Sequence, residues 1–339
     1  MIIKPRIRGF ICTTAHPAGL AASVNEQIDY VRSQAEVKGQ LKNVLVIGAS
    51  GGYGLASRIT AAFGAGAATL GVSFEKPPSE KRTATQGWYA NIAFEEAAEK
   101  AGLYAKTLDG DAFSDEMKDQ VIEAIKADMG QIDLLVYSLA SPVRPHPKTG
   151  ELHRSVIKPL GDPVHIKSLN VDKGEVHEVD LEPASEEETA NTVAVMGGED
   201  WEYWISALSE AGVLAEGFRT VAFTYIGTEL TWPIYWEGTL GKAKEDLDRA
   251  AAAMREQLAG ISGDARVATL KAIVSQASSA IPVVPLYASL LFKVMKEAGT
   301  HENIIQHIYR LFATQLAEGV EMNLDDAGRI RVDDWELAD

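Results

Sequence analysis

The run Val44-Leu45-Val46-Ile47 passes directly into Gly48-Ala49-Ser50-Gly51-Gly52-Tyr53-Gly54, and this junction leaves few folds open. An unbroken apolar tetrapeptide is typical of a strand buried on both faces, and such strands belong to parallel sheets covered by helices. The glycines at 48, 52 and 54 form G-x-x-x-G-x-G, a relative of the dinucleotide fingerprint, and residues 53–63 then read as a helix. A tight turn there needs positive φ, a pyrophosphate needs close approach to backbone N–H groups, and the helix N-terminus adds partial positive charge. A glycine cluster by itself reads as a loop. Between this strand and this helix it predicts a dinucleotide site. Glu75, 21 residues past Gly54 at the end of a second strand over 68–74, stands where an acid hydrogen-bonds the adenine ribose of NAD. Lys76, Lys81 and Arg82 nearby keep a phosphorylated ribose from being excluded.

The same alternation continues. A helix over 91–100, a strand over 103–108, a helix after Ser114 and a fourth strand over 132–136 complete two more βα units. Ser114 caps the third of these helices, Asp115 and Glu116 favour its positive end, and Met117, Val121, Ile125 and Met129 recur every four residues up to Gly130. After Ala140 the rhythm breaks until about 218, far longer than an ordinary βα loop. This insertion, 141–218, opens on Pro142, Pro145 and Pro147. It carries a hairpin signal, Leu169/Val171 against Val179/Leu181 about Asp172-Lys173-Gly174, then a helical stretch over 184–212. A strand at Val221-Ala222-Phe223, a helix from about Thr239, a strand over 267–274 and helices over 285–297 and 303–316 follow. The expected fold is α/β: a Rossmann-type doubly wound parallel sheet with helices on both faces, a single domain over 1–339, and a long insertion after the fourth strand. That insertion leaves from a strand's carboxyl end, where open α/β sheets bind ligands, so it is expected near the substrate mouth.

Forty-eight acids against thirty-two bases give a formal charge of −16, which argues against nucleic acid as a partner. No apolar run reaches the roughly 18 residues of a membrane helix, so no membrane insertion is expected. The charged Lys4, Arg6 and Arg8 make a poor signal peptide. One cysteine, Cys12, rules out an intrachain disulfide and favours a reducing, cytoplasmic setting.

No metal is expected. His301-Glu302-Asn303-Ile304-Ile305 begins like H-E-x-x-H but has Ile305 at the second ligand position, and Cys12 with His16 is a lone pair. What remains is tyrosine with lysine. A phenol can donate to a developing oxyanion, and a neighbouring ammonium lowers its pKa and can hold a ribose. The candidates include Tyr287-x5-Lys293 and Tyr235-x8-Lys244, and bare spacing does not choose well between them. On one helix nine residues would turn Tyr235 and Lys244 to opposite faces, about 13 Å apart along the axis. Gly238 and Gly241 lie between them, however, so Tyr235 can precede the helix with Lys244 reaching back. Tyr287 and Lys293 fall in an apolar helix with Leu290, Leu291 and Phe292, where a core role is the simpler reading.

Taken together these residues resemble the NADH-dependent trans-2-enoyl reductases of the FabV/trans-2-enoyl-CoA reductase type, an enlarged branch of the short-chain dehydrogenase/reductase superfamily. The resemblance runs from Met1 to the last residues. It rests on Ile2-Ile3-Lys4-Pro5-Arg6-Ile7-Arg8-Gly9-Phe10, the Gly48–Gly54 turn, Phe74-Glu75, Tyr137-Ser138-Leu139-Ala140 and Tyr225-Ile226-Gly227. It continues through the long Tyr235–Lys244 interval, Gly241-Lys242-Ala243-Lys244 and Gln276-Ala277-Ser278-Ser279-Ala280-Ile281-Pro282. Chains of the family usually continue past the point where this one ends, Asp339, so the family's C-terminal segment is expected to be absent.

The resemblance implies Tyr235 as proton donor or enolate stabiliser, Lys244 as its cofactor-binding partner, and Tyr225 as a contact to the acyl substrate. It implies an NADH site from Gly48, Ala49, Ser50, Gly51, Gly52, Tyr53, Phe74, Glu75, Asp111, Ala112, Leu139, Ala140, Lys244, Ile273, Val274 and Ser275. The strand-end positions agree with the pattern reading; Tyr225, on an apolar strand, would otherwise be taken as a core aromatic. The implied reaction is reduction of the C2–C3 double bond of a trans-2-enoyl thioester on acyl carrier protein or coenzyme A, the last reductive step of fatty-acid elongation, by a monomer. The negative charge disfavours an acidic carrier protein unless a basic patch is exposed, for which Arg144, His146, Lys148, His153 and Arg154 are candidates. The alternatives are a carbonyl (3-oxoacyl) reductase of the same superfamily and a dinucleotide-binding protein without turnover.

Overall fold

The computed structural model describes residues 4–8, 11–39, 41–80, 82–171, 173–275 and 278–338. Lys81, Asp172, Gln276 and Ala277, with Ile2, Ile3, Gly9 and Phe10, lie outside the described residues.

Seven parallel strands make one sheet. They are β1 (Asn43–Ile47), β2 (Ala68–Ser73), β3 (Ala105–Asp109), β4 (Ile132–Tyr137), β5 (Leu214–Thr224), β6 (Asp264–Thr269) and β7 (Ile330–Arg331). Their spatial order is β7-β6-β5-β4-β1-β2-β3. The order reverses between β1 and β4, and that crevice at the carboxyl edge is where a doubly wound sheet takes its ligand. Val44 and Val46 join one buried layer while Leu45 and Ile47 join the other. The strand therefore needs an apolar residue at every position, which is why its sequence is continuous rather than alternating.

Helices α1 (Pro17–Ser33), α2 (Gly52–Ala65), α3 (Gln86–Lys100) and α9 (Ile304–Leu311) cover one face, and α4 (Asp115–Asp128), α6 (Glu199–Glu210) and α7 (Thr239–Leu258) the other. The Ser114 hydroxyl accepts from the Met117 N–H at 3.1 Å, as the capping pattern predicts. Helix α1 was not anticipated. His16 caps it through Nδ1, which accepts from Gly19 N–H, and Val24, Ile28 and Val31 form its buried stripe. Among the described residues no helix is long and apolar enough to cross a membrane.

Between β4 and β5 lie two antiparallel hairpins, Val143–Pro145 with Leu152–Arg154 and Val164–Asn170 with Glu175–Leu181. The second pairs Leu169 with Val176 and leaves Val171 in the turn, not on the strand as expected. The predicted long helix is two, α5 (Glu186–Met196) and α6, parted at Gly197-Gly198. Both glycines pack so closely on Asp246 and Ala250 of α7 that a Cβ would collide. Helix α6 buries Trp201, Trp204, Ile205 and Leu208 against the sheet, so it serves as the covering helix that a parallel crossover requires. Strand β5 starts at Leu214, earlier than the apolar triplet suggested, because a register shift before Arg219 interrupts its pattern. Strand β6 ends at Thr269, so Ile273, Val274 and Ser275 belong to the loop beyond it, before α8 (Val284–Ala298).

Candidate active site

The glycine turn closes on the β1–β4 crevice. Gly48 has φ +81 and Gly52 has φ +53, values that L side chains resist. A Cβ on Gly48 would strike the Ser138 carbonyl after β4, and one on Gly54 would strike the Gly48 carbonyl. Gly51 caps α2 with no side-chain hydrogen bond, and the first turn carries no acid. The orphan N–H groups and partial positive charge of that helix end are thus left for an anion.

Glu75 follows β2. Its Oε1 accepts from the Ser50 hydroxyl at 2.6 Å, which holds the carboxylate over the glycine turn. Gly87, near the start of α3, makes room for it, since a Cβ there would run into the carboxylate and into Ser50. Phe74 is 74% exposed beside it. Asp111 and Ala112 follow β3, with Asp111 Oδ1 accepting from Phe113 N–H at 3.0 Å. Leu139 and Ala140 follow β4. These positions line one carboxyl edge of the sheet, as the pattern predicts.

Tyr235 lies in the turns before α7, not on it. Its carbonyl accepts from Gly241 N–H at 2.9 Å. Gly241 has no room for a Cβ against the Trp236 carbonyl, so glycine is what lets this segment fold back on the first turn of the helix. The Tyr235 ring meets Tyr225 edge-on, centroids 5.1 Å apart at 86°. Burial pushes the Tyr235 phenol above its ordinary range. Burial also raises Tyr53, with further upward pressure from Tyr235 and Glu336. Lys244, one helical turn into α7, donates to the Phe223 carbonyl at 3.2 Å. Burial lowers its ammonium to about 8 against an upward pull from Asp248. Lys244 also lines a small cavity with Leu139, Gly197 and Phe223 at the ends of β4 and β5. The two side chains are not hydrogen-bonded to each other, and burial raises the Tyr235 phenol where a neighbouring ammonium was expected to lower it.

Two family models cover almost the whole chain. The trans-2-enoyl-CoA reductase catalytic region matches residues 82–317, and the NAD(P)H binding domain of trans-2-enoyl-CoA reductase matches residues 2–80. The chain belongs to the trans-2-enoyl-CoA reductase family. An enoyl-[acyl-carrier-protein] reductase [NADH] of Serratia proteamaculans is 60% identical over 339 residues, covering 100% of this chain and 85% of its own. The Treponema denticola trans-2-enoyl-CoA reductase solved with NAD is 53% identical, with a TM-score of 0.96 over 100% of this chain and 86% of that one. The Clostridium acetobutulicum trans-2-enoyl-CoA reductase solved with NADH is 44% identical, with a TM-score of 0.97 over 100% and 85%.

Within this family member the insertion cations do not form the basic patch considered above. Arg144 is fully buried and donates to the Ala194 carbonyl at 2.6 Å and to Glu199 at 2.7 Å, between the rings of Phe113 and Tyr203. His146 pairs with the same Glu199, His153 bonds Asn191, and Lys148 pairs with Asp115. Arg154 is exposed. Glu302 of the incomplete H-E-x-x-H motif is tied to Arg310 and His307. Tyr225 follows β5 and donates to Glu336 at 2.8 Å. Tyr287, read as a core residue, donates to the same oxygen at 2.7 Å. Nothing in the local pattern Asp333-Asp334-Trp335-Glu336 marks that glutamate for the interior. Gly87 was missed as well; its only signal is its position opening a helix opposite Glu75.

Proposed function

We propose that this chain reduces the C2–C3 double bond of trans-2-enoyl thioesters with NADH, in the last reductive step of fatty-acid elongation. One observation carries the reading. A buried tyrosine and a half-buried lysine flank the first turn of α7 at the same sheet edge as a glycine turn whose backbone leaves no room for side chains at Gly48 and Gly54. The sequence and fold likenesses to NADH-dependent enoyl-[acyl-carrier-protein] reductase and to reductases solved with NAD and NADH support it.

The residues present fit the dinucleotide. The α2 N-terminus would hold the pyrophosphate, Glu75 the adenine ribose hydroxyls, Phe74, Asp111 and Ala112 the adenine end, and Lys244 the second ribose. Leu139, Ala140, Ile273, Val274 and Ser275 would surround the nicotinamide. When bound, NADH supplies the hydride that reaches C3. Tyr225 would orient the thioester carbonyl. As charge moves from the double bond to the carbonyl oxygen, the Tyr235 hydroxyl donates to it, and C2 is then protonated to give the saturated acyl chain. All these groups come from one copy of the chain, so a monomer suffices. A cytoplasmic setting goes with the reading. The direct test follows NADH absorbance with crotonyl-CoA and with a 3-oxoacyl thioester; oxidation with the first alone is expected. Oxidation with the second alone would mark a carbonyl reductase, and oxidation with neither would sink the proposal.

Cofactor choice should rest on Glu75. Opposite a 2′-phosphate its carboxylate would face a like charge, worth about 4 kcal/mol at a few ångströms and an effective dielectric near 20, and less once screened. Hydrogen bonds from the ribose to a charged acceptor add about 1.5–3 kcal/mol toward NADH. A strong NADH preference is expected, and Glu75→Ala should weaken it chiefly by admitting NADPH. Steady-state kcat/KM with both cofactors decides; an Ala variant that keeps the full preference removes Glu75 from the ribose.

Lys244 makes affinity depend on pH. Below about 8 the free protein carries the ammonium that donates to the ribose; above it the amine must first take up a proton. Apparent NADH affinity should therefore fall about tenfold between pH 7 and pH 9, by simple proton linkage. Fluorescence titrations of wild type and Lys244→Met at both pH values check this. The Met variant should bind weakly with a flat profile, and a flat wild-type profile would contradict the assignment.

A further inference from the structure

Glu336 lies beyond β7, 6% exposed, and its carboxylate joins groups from three separate strand ends and helices. Oε1 accepts from the hydroxyls of Tyr225, just past β5, and Tyr287, on α8. Oε2 accepts from the N–H of Ala272 at 2.5 Å, in the loop that leads from β6 into Ile273-Val274-Ser275. Among the described residues it has no ion-pair partner, and burial pushes its carboxyl above the ordinary range. Burying an acid here costs free energy unless its acceptors are used, and two of the three donors that use them, the Tyr225 hydroxyl and the Ala272 N–H, belong to or adjoin the proposed substrate and cofactor sites. The Tyr225 ring in turn packs edge-on against Tyr235.

We infer that Glu336 is a positioning residue for the reduction. Its carboxylate aims the Tyr225 hydroxyl, and holds the tyrosine pair in register with the 272–275 loop. The inference rests on the enoyl-reductase reading. It depends on an acceptor at both ends of one side chain, which a carboxylate has and a carboxamide lacks. In Glu336→Gln either the Ala272 N–H or the tyrosine hydroxyls must face an NH2 donor. A hydroxyl can turn to accept from it, but its proton, held by the carboxylate in the wild type, is then released, and the Tyr225 ring loses the charged acceptor that fixes it.

A double-mutant cycle with Tyr225→Phe separates this role from a simple staple of the C-terminal stretch. The readouts are kcat and KM for crotonyl-CoA and the equilibrium binding of butyryl-CoA without NADH. In the wild-type background Glu336→Gln should lower kcat/KM by about tenfold to a hundredfold and weaken butyryl-CoA about tenfold, the range of a hydrogen bond to a charged group. In the Tyr225→Phe background the same change should move both by less than about threefold. If the Gln variant does not fold, Glu336→Asp, whose shorter reach slackens the tyrosine contact, is taken through the same cycle with the same expected pattern. Equal penalties in both backgrounds, or none in an active wild type, overturn the inference alone. A wild type that oxidises no NADH with any enoyl thioester overturns the reading beneath it, and the inference with it.

Discussion

Tyr235→Phe is expected to lower kcat for a trans-2-enoyl thioester by about two to four decades, the range for a lost proton donor or oxyanion contact. NADH affinity should stay close to wild type, because the ring and its packing remain. The argument is geometric and electrostatic together. Tyr235 is buried, its phenol is raised and therefore protonated, and it is free to donate when charge appears on a neighbouring oxygen. Its carbonyl, not its hydroxyl, anchors it to α7 through Gly241. Removing the hydroxyl should thus leave the fold untouched. Pre-steady-state hydride transfer and a fluorescence titration of NADH give the two numbers. Near-normal turnover in the variant would move the donor role to Tyr225, the ring packed against it.

Asp200→Ala is expected to destabilise the chain by about 3 to 5 kcal/mol, the cost of leaving a buried charge without its partner. Asp200 on α6 and Lys118 on α4 are 2% and 3% exposed and meet at 2.9 Å. The second Asp200 oxygen accepts from the Tyr137 hydroxyl at 3.0 Å. Lys118 also donates to the carbonyls of Ala112 and Phe113, at 3.3 and 3.0 Å, and its ammonium lies over the Trp204 ring. Removal of the aspartate would leave that ammonium with two carbonyls and no counter-charge. A large drop in the thermal midpoint is the expected reading. The double variant Lys118→Met with Asp200→Asn, which removes both charges, nearly keeps volume and leaves the Tyr137 hydroxyl an acceptor, should recover most of it. A single variant as stable as wild type would show that water reaches the pair.

These two predictions differ in how far the sequence alone leads to them. The strand-turn-helix at 43–65 was legible because period, glycine spacing and helix start all agree over a short stretch. Tyr235 and Lys244 were legible as a pair only because Gly238 and Gly241 allow a fold-back, and the choice over Tyr287 and Lys293 came from family likeness. Lys118 sits among Met117, Asp119 and Gln120 and looks like a solvated helix position. Only the packing of α6, more than eighty residues on, shuts it from water. Arg144 looked exposed among prolines for the same reason. Glu336 is the extreme case, since its tyrosine partner lies 111 residues away and no local period marks it. Helix α1 was overlooked although its stripe at 24, 28 and 31 has helical spacing; Pro17 and a histidine cap are weaker start signals than Ser114.

The most direct test of the central claim is where the hydride lands. NADH bearing deuterium at the transferred position is incubated with crotonyl thioester in ordinary water, and the product is read by NMR. Hydride delivery to the β-carbon followed by protonation from a tyrosine-held enolate predicts one deuterium at C3 of the butyryl product and solvent hydrogen at C2. Deuterium at C2, an unlabelled product, or label found only in a hydroxyacyl product from a 3-oxoacyl thioester would contradict it.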